Sequence, residues 1–305
     1  MLVQVGGWKL EIGKWIQRFS GLRAGEKPRK RSNPIPTNLW IGGAMLGAVI
    51  FAAMFAPLLA AYPPDLVLAG GKLSAPSFAH PFGTDNLGRD VFSRVLFGAR
   101  IALGIALIGV AISAGLGIPL GLLAGYRGGW LDQTLARAMD VWLAFPGLLL
   151  ALVIVSRLGP SLENTIIALG IMAAPGFFRI TRGATISARR AVYVQAAQSI
   201  GARESRILAR HILPNLASAL IVLATMRAST LILAAGGLSF IGLGAQPPLP
   251  EWGALLASGR GYLDTAPWLA IFPGACITLT SAGLNLLGDG LRDFFDPRQI
   301  QKPSF

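Results

Sequence analysis

The chain has 305 residues, of which 53% are hydrophobic and only 13% are charged. Soluble domains usually carry about 25% charged residues, so this composition excludes an ordinary soluble protein and indicates several membrane spans. The formal net charge of +13 would favour a nucleic-acid partner only if the basic residues lay on a soluble surface.

The first 37 residues are polar and basic, and we expect them to form a cytoplasmic or interfacial segment without a cleavable signal. Within residues 7–22, Trp8, Ile12, Trp15 and Phe19 recur at spacings of three and four, with basic residues between them. This stripe is typical of an amphipathic helix in the headgroup plane. A helix that packs on another cytoplasmic protein is the alternative.

Six apolar stretches follow, each near the 20 or so residues that a membrane span needs. They cover residues 39–62, 101–126, 137–156, 161–178, 212–243 and 266–288. The third must accommodate Asp140, the fourth is short with Pro175 near its end, and the fifth contains Arg227. The sequence therefore predicts an all-α, polytopic membrane protein with a six-span domain over residues 38–298 and a short tail over 299–305.

Basic residues are concentrated in two segments outside these spans. Residues 1–37 hold eight Lys or Arg against two Glu, and residues 179–211 hold seven Arg against one Glu, a net of +6 in each. Cytoplasmic segments carry such an excess, and six spans that begin from a cytoplasmic N-terminus return the C-terminus to the same side. The charge therefore indicates topology, and no nucleic-acid partner is expected.

Two charged features near the spans carry structural expectations. In residues 80–100, Asp85, Arg89, Asp90 and Arg94 alternate in sign and are expected to form ion pairs on the outer face, or to dock a binding protein. Their arginine partners keep the carboxylates ionised, which excludes acid–base catalysis. Thr84 or Asp85 is expected to cap a short helix. Within the third span, Asp140 is expected to cap its helix or to pair with Arg137 or Arg127.

The loop from about residue 179 to 215 joins the fourth and fifth spans. Gln195 to Ile200 is predicted to form a short helix that ends at Gly201, because a glycine suits a helix C-terminus. A second helix, Ala202 to Leu213, is expected to stop or kink at Pro214.

Two interpretations of this loop are open. It is either a plain cytoplasmic hairpin or a docking element, in which Ala196, Ala197 and Gly201 form a small, smooth face for the groove of a soluble subunit. The basic residues of the second helix share one face and are positioned for acidic side chains or lipid phosphates. They are Arg203, Arg206 and Arg210.

Four motifs in this order resemble the permeases of ATP-binding-cassette (ABC) importers. In the first, the EAA loop, the matching residues are Gln195, Ala196, Ala197, Gly201, Leu213 and Pro214, with Gln195 in place of the usual acid and His211 in an apolar slot. The others are HPFGTDNLGRDVFSRVLFGAR (80–100), LSFIGLGAQPPLPEWGALL (238–256) and NLLGDGLRDFFDPR (285–298). Together they are similar to the C-type permease of the dipeptide, oligopeptide and nickel group.

The resemblance implies the type I importer permease fold and a transporter of small peptides in a bacterial inner membrane, with both termini cytoplasmic. The implied partners are a homologous permease in a heterodimer, two ABC ATPase subunits, an extracytoplasmic solute-binding protein and the lipid bilayer. ATP and Mg²⁺ would bind to the partner subunits, since this chain has no Walker A or G-x-G-x-x-G segment. No catalytic residue, cofactor or metal is expected here. The implied ATPase-coupling residues are Gln195, Ala196, Ala197, Gly201, Ala202, Arg203, Glu204 and Arg206.

Arg227 is the strongly charged residue that lies well inside an apolar span. A charge there is costly in lipid, so its side chain is expected to face protein or water. It is a candidate for the translocation path, where it would meet a peptide carboxylate. It fits equally well a pair with a partner subunit or with backbone carbonyls.

Other function classes have less support in the sequence. A secondary transporter tends to show internal repeats and an intramembrane carboxylate or ion site, and neither is visible. An intramembrane enzyme needs a constellation of reactive groups, and Cys276 has no mid-span histidine or paired acids beside it. An ABC importer for nickel chelates or opines is the alternative to a peptide importer.

Overall fold

The structure is a computed structural model that describes residues 36–295. The predicted helix within residues 7–22 and the tail over 299–305 lie outside this range. The five long helices are α1 (Thr37–Leu59), α2 (Val91–Arg127), α5 (Leu162–Arg189), α8 (Leu213–Phe240) and α10 (Trp268–Phe295). The shorter ones are α3 (Gly129–Ala144), α4 (Gly147–Leu158), α6 (Val192–Ser199), α7 (Glu204–Ile207) and α9 (Trp252–Gly259).

The predicted all-α membrane fold is confirmed, but its third span is not a straight helix. Five helical stretches are long and apolar enough to cross a membrane, and α3 with α4 supplies a sixth if this bent pair counts as one span. The two helices meet at 87°. The break falls at Phe145, which has a ψ of 136°, because the residue before Pro146 is disfavoured in helical conformation.

The fourth span is longer than predicted. Pro175 lies inside α5, which continues to Arg189, so the first third of the predicted loop is helical. Helices α2 and α5 pack closely because glycines on α2 recur every fourth residue: a Cβ added at Gly121 or Gly125 would lie 2.7 Å from a carbonyl oxygen of α5. Small residues of this kind permit close helix approach in membranes.

At the other end of α2, residues 60–90 form a folded loop. Asp90 caps α2, since its Oδ2 accepts a hydrogen bond from the Ser93 backbone N–H at 2.7 Å. Its Oδ1 lies 2.9 Å from His80 Nδ1. The expectation that Thr84 or Asp85 would cap a short helix is wrong, because the helix begins only after Asp90.

The predicted ion pairing among the charges of this loop is confirmed in part. Asp85 accepts from Arg89 Nε at 2.7 Å, and Arg94 lies 3.9 Å from the same carboxylate, so Asp85 is shared between two arginines. Asp90 binds His80 instead of an arginine.

The connection before α10 is anchored to the start of α2. Trp252 Nε1 donates to the Val95 carbonyl oxygen at 3.0 Å, and a Cβ at Gly98 would collide with its ring at 2.5 Å. The preceding residue, Glu251, caps α9 by accepting from the Ala254 N–H at 2.9 Å. Burial raises the pKa of the Glu251 carboxyl, because the charged form loses its hydration.

Candidate coupling site

The predicted termination of this helix by Gly201 is confirmed, although α6 begins at Val192 and not at Gln195, and its last residue is Ser199. Gly201 has a φ of +76°, a conformation that glycine adopts without strain. Its N–H donates to the Gln198 carbonyl oxygen at 2.9 Å, and the Ala202 N–H donates to that of Ala197 at 3.1 Å. These two bonds form the Schellman arrangement, which ends the helix and turns the chain sharply into α7.

The second helix of the loop does not stop at Pro214. The chain stays helical from Glu204 to Phe240, and a π-helical segment over Leu208–Ile212 ends two residues before Pro214, where the stop or kink was expected. Pro214 then falls in the first turn of α8, where the missing N–H of a proline costs little. The loop is therefore joined to the fifth span by continuous helix.

The predicted coupling residues of α6 lie on two different faces. Gln195 and Ala196 are exposed, whereas Ala197 is only 6% exposed. Ala197 packs with Val194 and Tyr126 in one apolar cluster. Ala197 therefore anchors α6 to the membrane domain. It does not belong to the small, smooth face that it was expected to form with Ala196 and Gly201.

The outward face includes apolar side chains that the sequence reasoning missed. Val192 is 81% exposed and Ile200 is 85% exposed. Arg203 and Arg206 are also exposed, so the surface is apolar at the turn and basic beyond it. The sequence did contain a signal for this exposed position, because Ile200 is a large apolar residue directly before the glycine that ends the helix.

Two side-chain contacts join the loop to the end of α2. Gln198 Nε2 donates to Tyr126 Oη at 3.1 Å. Arg127 donates from Nε and Nη2 to Glu204 Oε2 at 3.2 and 3.1 Å. Glu204, which the resemblance assigns to ATPase coupling, thus faces α2 in this structure.

Helix α3 lies against α5 at the same end of the molecule. The carboxylate of Asp140 lies 3.6 Å from Arg179 Nη2. The expectation that Asp140 would cap its helix or pair with Arg137 or Arg127 is wrong, because Asp140 lies inside α3 and its carboxylate lies beside α5. Arg127 forms an ion pair with Glu204 instead.

Arg227 lies where α8 faces α5. Its guanidinium packs over Gly176, where an added Cβ would be 2.7 Å from Nη2 and 3.1 Å from Cζ. The side chain is half-buried, and within residues 36–295 no ion pair or hydrogen bond involves it. An apolar groove of about 350 Å³ between α2, α5 and α8 is lined along α8 from Leu213 to Ala224, which ends one helical turn before Arg227.

Comparison with known families identifies the class of protein. The sequence profile described as "binding-protein-dependent transport system inner membrane component" matches residues 117–301. The chain belongs to this family. It is 44% identical to a dipeptide transport system permease protein of Alkalihalophilus pseudofirmus. The alignment of 258 residues covers 85% of each chain. It is 48% identical over 251 residues to a glutathione transport system permease protein of Escherichia coli O157:H7, which covers 82% of this chain and 83% of that one.

A solved structure supports the fold. A chain of the methionine ABC transporter MetNI, in an inward-facing conformation, superposes with a TM-score of 0.54 at 18% identity and covers 68% of this chain and 97% of that one. The protein is therefore a multi-pass inner-membrane permease with the type I importer fold. In this family the permease works with a solute-binding protein and with separate ATPase subunits that hydrolyse ATP, so this chain is a transport component and not an enzyme.

Proposed function

We propose that this permease forms half of the translocation path of an importer for small peptides. The observation that carries the proposal is the 44% and 48% identity to permeases named for dipeptide and glutathione transport, each over more than four fifths of this chain. Both named cargoes are short peptides, so each presents at least one amide and one ionised carboxylate.

The proposed assembly is a heterodimer with a homologous permease, above two ABC ATPase subunits and below a solute-binding protein. ATP and Mg²⁺ bind to the ATPase subunits. The basic loop lies on the cytoplasmic side, together with both termini, which is supported by the net charge of +6 in residues 1–37 and again in residues 179–211.

The proposed contact with an ATPase is the outward face of α6 and the turn after it. Gln195, Ala196 and Gly201 lie there, and Ala202 begins the basic stretch that leads into Arg203 and Arg206. Because α7 continues through the π segment into α8, a displacement of the docked turn reaches the fifth span directly. ATP-driven closure of the ATPases would open the path outward, and hydrolysis would reset it.

Replacing Gly201 by tryptophan tests this docking contact. No atom lies within 4 Å of a Cβ built at Gly201, so the indole would project away from this chain and obstruct only a partner. We expect the ATPase activity that loaded binding protein stimulates to fall at least tenfold in the purified complex.

Gly201→Ala is the matched control for this experiment. It imposes the same left-handed backbone strain, about 1–2 kcal/mol, without the bulk, and it should retain most of the activity. If the tryptophan variant assembles and shows normal stimulated ATPase and transport, the docking surface is misplaced.

Reconstituted complex with its own binding protein tests the cargo. Liposomes loaded with ATP on the ATPase side should accumulate labelled dipeptides or glutathione, and collapse of the proton gradient at constant ATP should not stop them. Transport of a nickel chelate or an opine without any peptide would reject the peptide assignment. Loss of transport with the gradient would indicate a secondary transporter.

Arg227 is proposed to line the translocation path. Mid-span charge costs about 2.5–3.5 kcal/mol on insertion scales, so a half-buried guanidinium is expected to be solvated by water, cargo or a partner chain. A peptide carboxylate suits it, because guanidinium and carboxylate form paired hydrogen bonds.

A further inference from the structure

The last two residues of α2 contact both halves of the coupling loop. Tyr126 accepts a hydrogen bond from Gln198 on α6, and Arg127 forms an ion pair with Glu204 on α7. The two contacts lie on opposite sides of the turn at Gly201. A single helix end thus braces both arms of the element that is proposed to meet the ATPase.

These contacts supply a connection that the backbone does not. The loop continues directly into α8, but it is separated from α2 by more than 70 residues, since the Arg127–Glu204 bond spans 77 positions. Helix α2 in turn lies in close backbone contact with α5 through Gly121 and Gly125. Any force passed to α2 therefore also moves α5.

We propose that Tyr126 and Arg127 are positioning residues for ATPase coupling: they clamp the loop to α2, so that the docked turn moves the α2–α5 pair together with α8. This inference rests on the proposed docking at Gly201. Without the clamp, the loop would still be displaced by the ATPase and would still move α8. Part of that displacement would then be absorbed by rotation of α6 about its buried residues, Val194 and Ala197.

Charge exchange tests the clamp. Arg127→Glu and Glu204→Arg each place like charges against each other, while the double variant restores an ion pair of opposite polarity. The quantity measured is the transport ratio, the amount of peptide transported per ATP hydrolysed. We expect each single variant to lower this ratio roughly threefold to fivefold, in keeping with the weakness of an exposed pair. The double variant is expected to return to within twofold of the wild-type ratio.

The matched control is the exchange of Asp140 and Arg179. This pair lies at the same end of the molecule and is also exposed, but it joins α3 to α5 and involves neither α6 nor α7 nor the turn between them. Its single charge reversals should leave the transport ratio unchanged. A second variant, Tyr126→Phe, keeps the buried ring and removes the hydroxyl, and it should lower the ratio without lowering the thermal midpoint of the complex.

Cross-linking distinguishes a mechanical link between residues 127 and 204 from an effect of their charges alone. Arg127→Cys with Glu204→Cys removes the ion pair and should lower the transport ratio, and a short bifunctional thiol reagent should restore it, because the two segments are proposed to move together. Reagent-treated wild type controls for Cys276. If the cross-link blocks transport, the segments separate during the cycle and the clamp is rejected.

Other outcomes divide the two proposals. Single charge reversals with normal coupling, or a double exchange no better than either single, would overturn the clamp. The latter result would instead place Glu204 against the ATPase. If Gly201→Trp abolishes coupling while Arg127→Glu does not, only the clamp fails. If Gly201→Trp is harmless, the docking proposal itself fails.

Discussion

Gly176→Ala is expected to displace the Arg227 guanidinium without removing its charge. The added Cβ would lie 2.7 Å from Nη2, 3.1 Å from Cζ and 3.2 Å from Nε, whereas non-bonded heavy atoms prefer about 3.5–4.0 Å. The guanidinium must therefore retreat by about 0.5–1 Å. A loss of about 1 kcal/mol from a charge-assisted hydrogen bond to cargo corresponds to roughly fivefold slower transport.

The assay is peptide uptake into proteoliposomes at saturating loaded binding protein, with basal ATPase and complex yield measured on the same preparation. Gly183→Ala on the same helix is the matched control, because an added Cβ there meets no atom within 4 Å and the change in helix propensity is the same. Arg227→Ala should reduce uptake further, and Arg227→Lys should retain part of it.

Three results would refute this reasoning. If Gly176→Ala and Arg227→Ala both transport at the rate of Gly183→Ala, then Arg227 does not contact the cargo. If Arg227→Ala instead lowers the yield of assembled complex, the guanidinium pairs with the partner permease. A guanidinium found among lipid acyl chains in a structure of the assembled transporter would exclude both placements.

Three further predictions address stability and assembly. An added Cβ at Gly253 would collide with the Gly236 backbone, so Gly253→Ala should lower folded yield, whereas Gly237→Ala has open space and should not. Burial raises the pKa of Glu251, so wild type should gain thermal stability relative to Glu251→Gln as pH falls towards about 4.3 and lose it as pH rises through the folded-state pKa. Deleting residues 1–24 should lower complex yield more than it changes cargo preference in competition uptake.

Much of the structure of the loop between α5 and α8 could be predicted from local chemistry. The end of α6 follows from one glycine, because only a residue tolerant of positive φ can make that turn. The inward position of Ala197 did not follow, since a short helix shows too little periodicity to reveal which face is buried. The exposure of Ile200 could have been predicted, because a large apolar residue stands directly before the glycine that ends the helix.

The broken third span shows a different limit. Hydropathy averaged over a window detects apolar length, so residues 137–156 were recognised as span-forming. The bend at Phe145 depends on a single proline that such an average cannot register. The partner of Asp140 was predicted wrongly because its contact with Arg179 depends on how α3 packs against α5, which neighbouring residues in the sequence do not reveal.

By itself, the sequence determined the helical membrane class, the number of apolar segments and the place of the loop, because apolar length, excess basic charge and helix-ending glycine act over short stretches of chain. Only the tertiary structure decided that Arg127 pairs with Glu204 and that Arg227 packs over Gly176. It also decided that Gly121 and Gly125 allow α2 to pack closely against α5. Each of these depends on the relative placement of helices distant in sequence, which is set by the packing of the whole membrane domain.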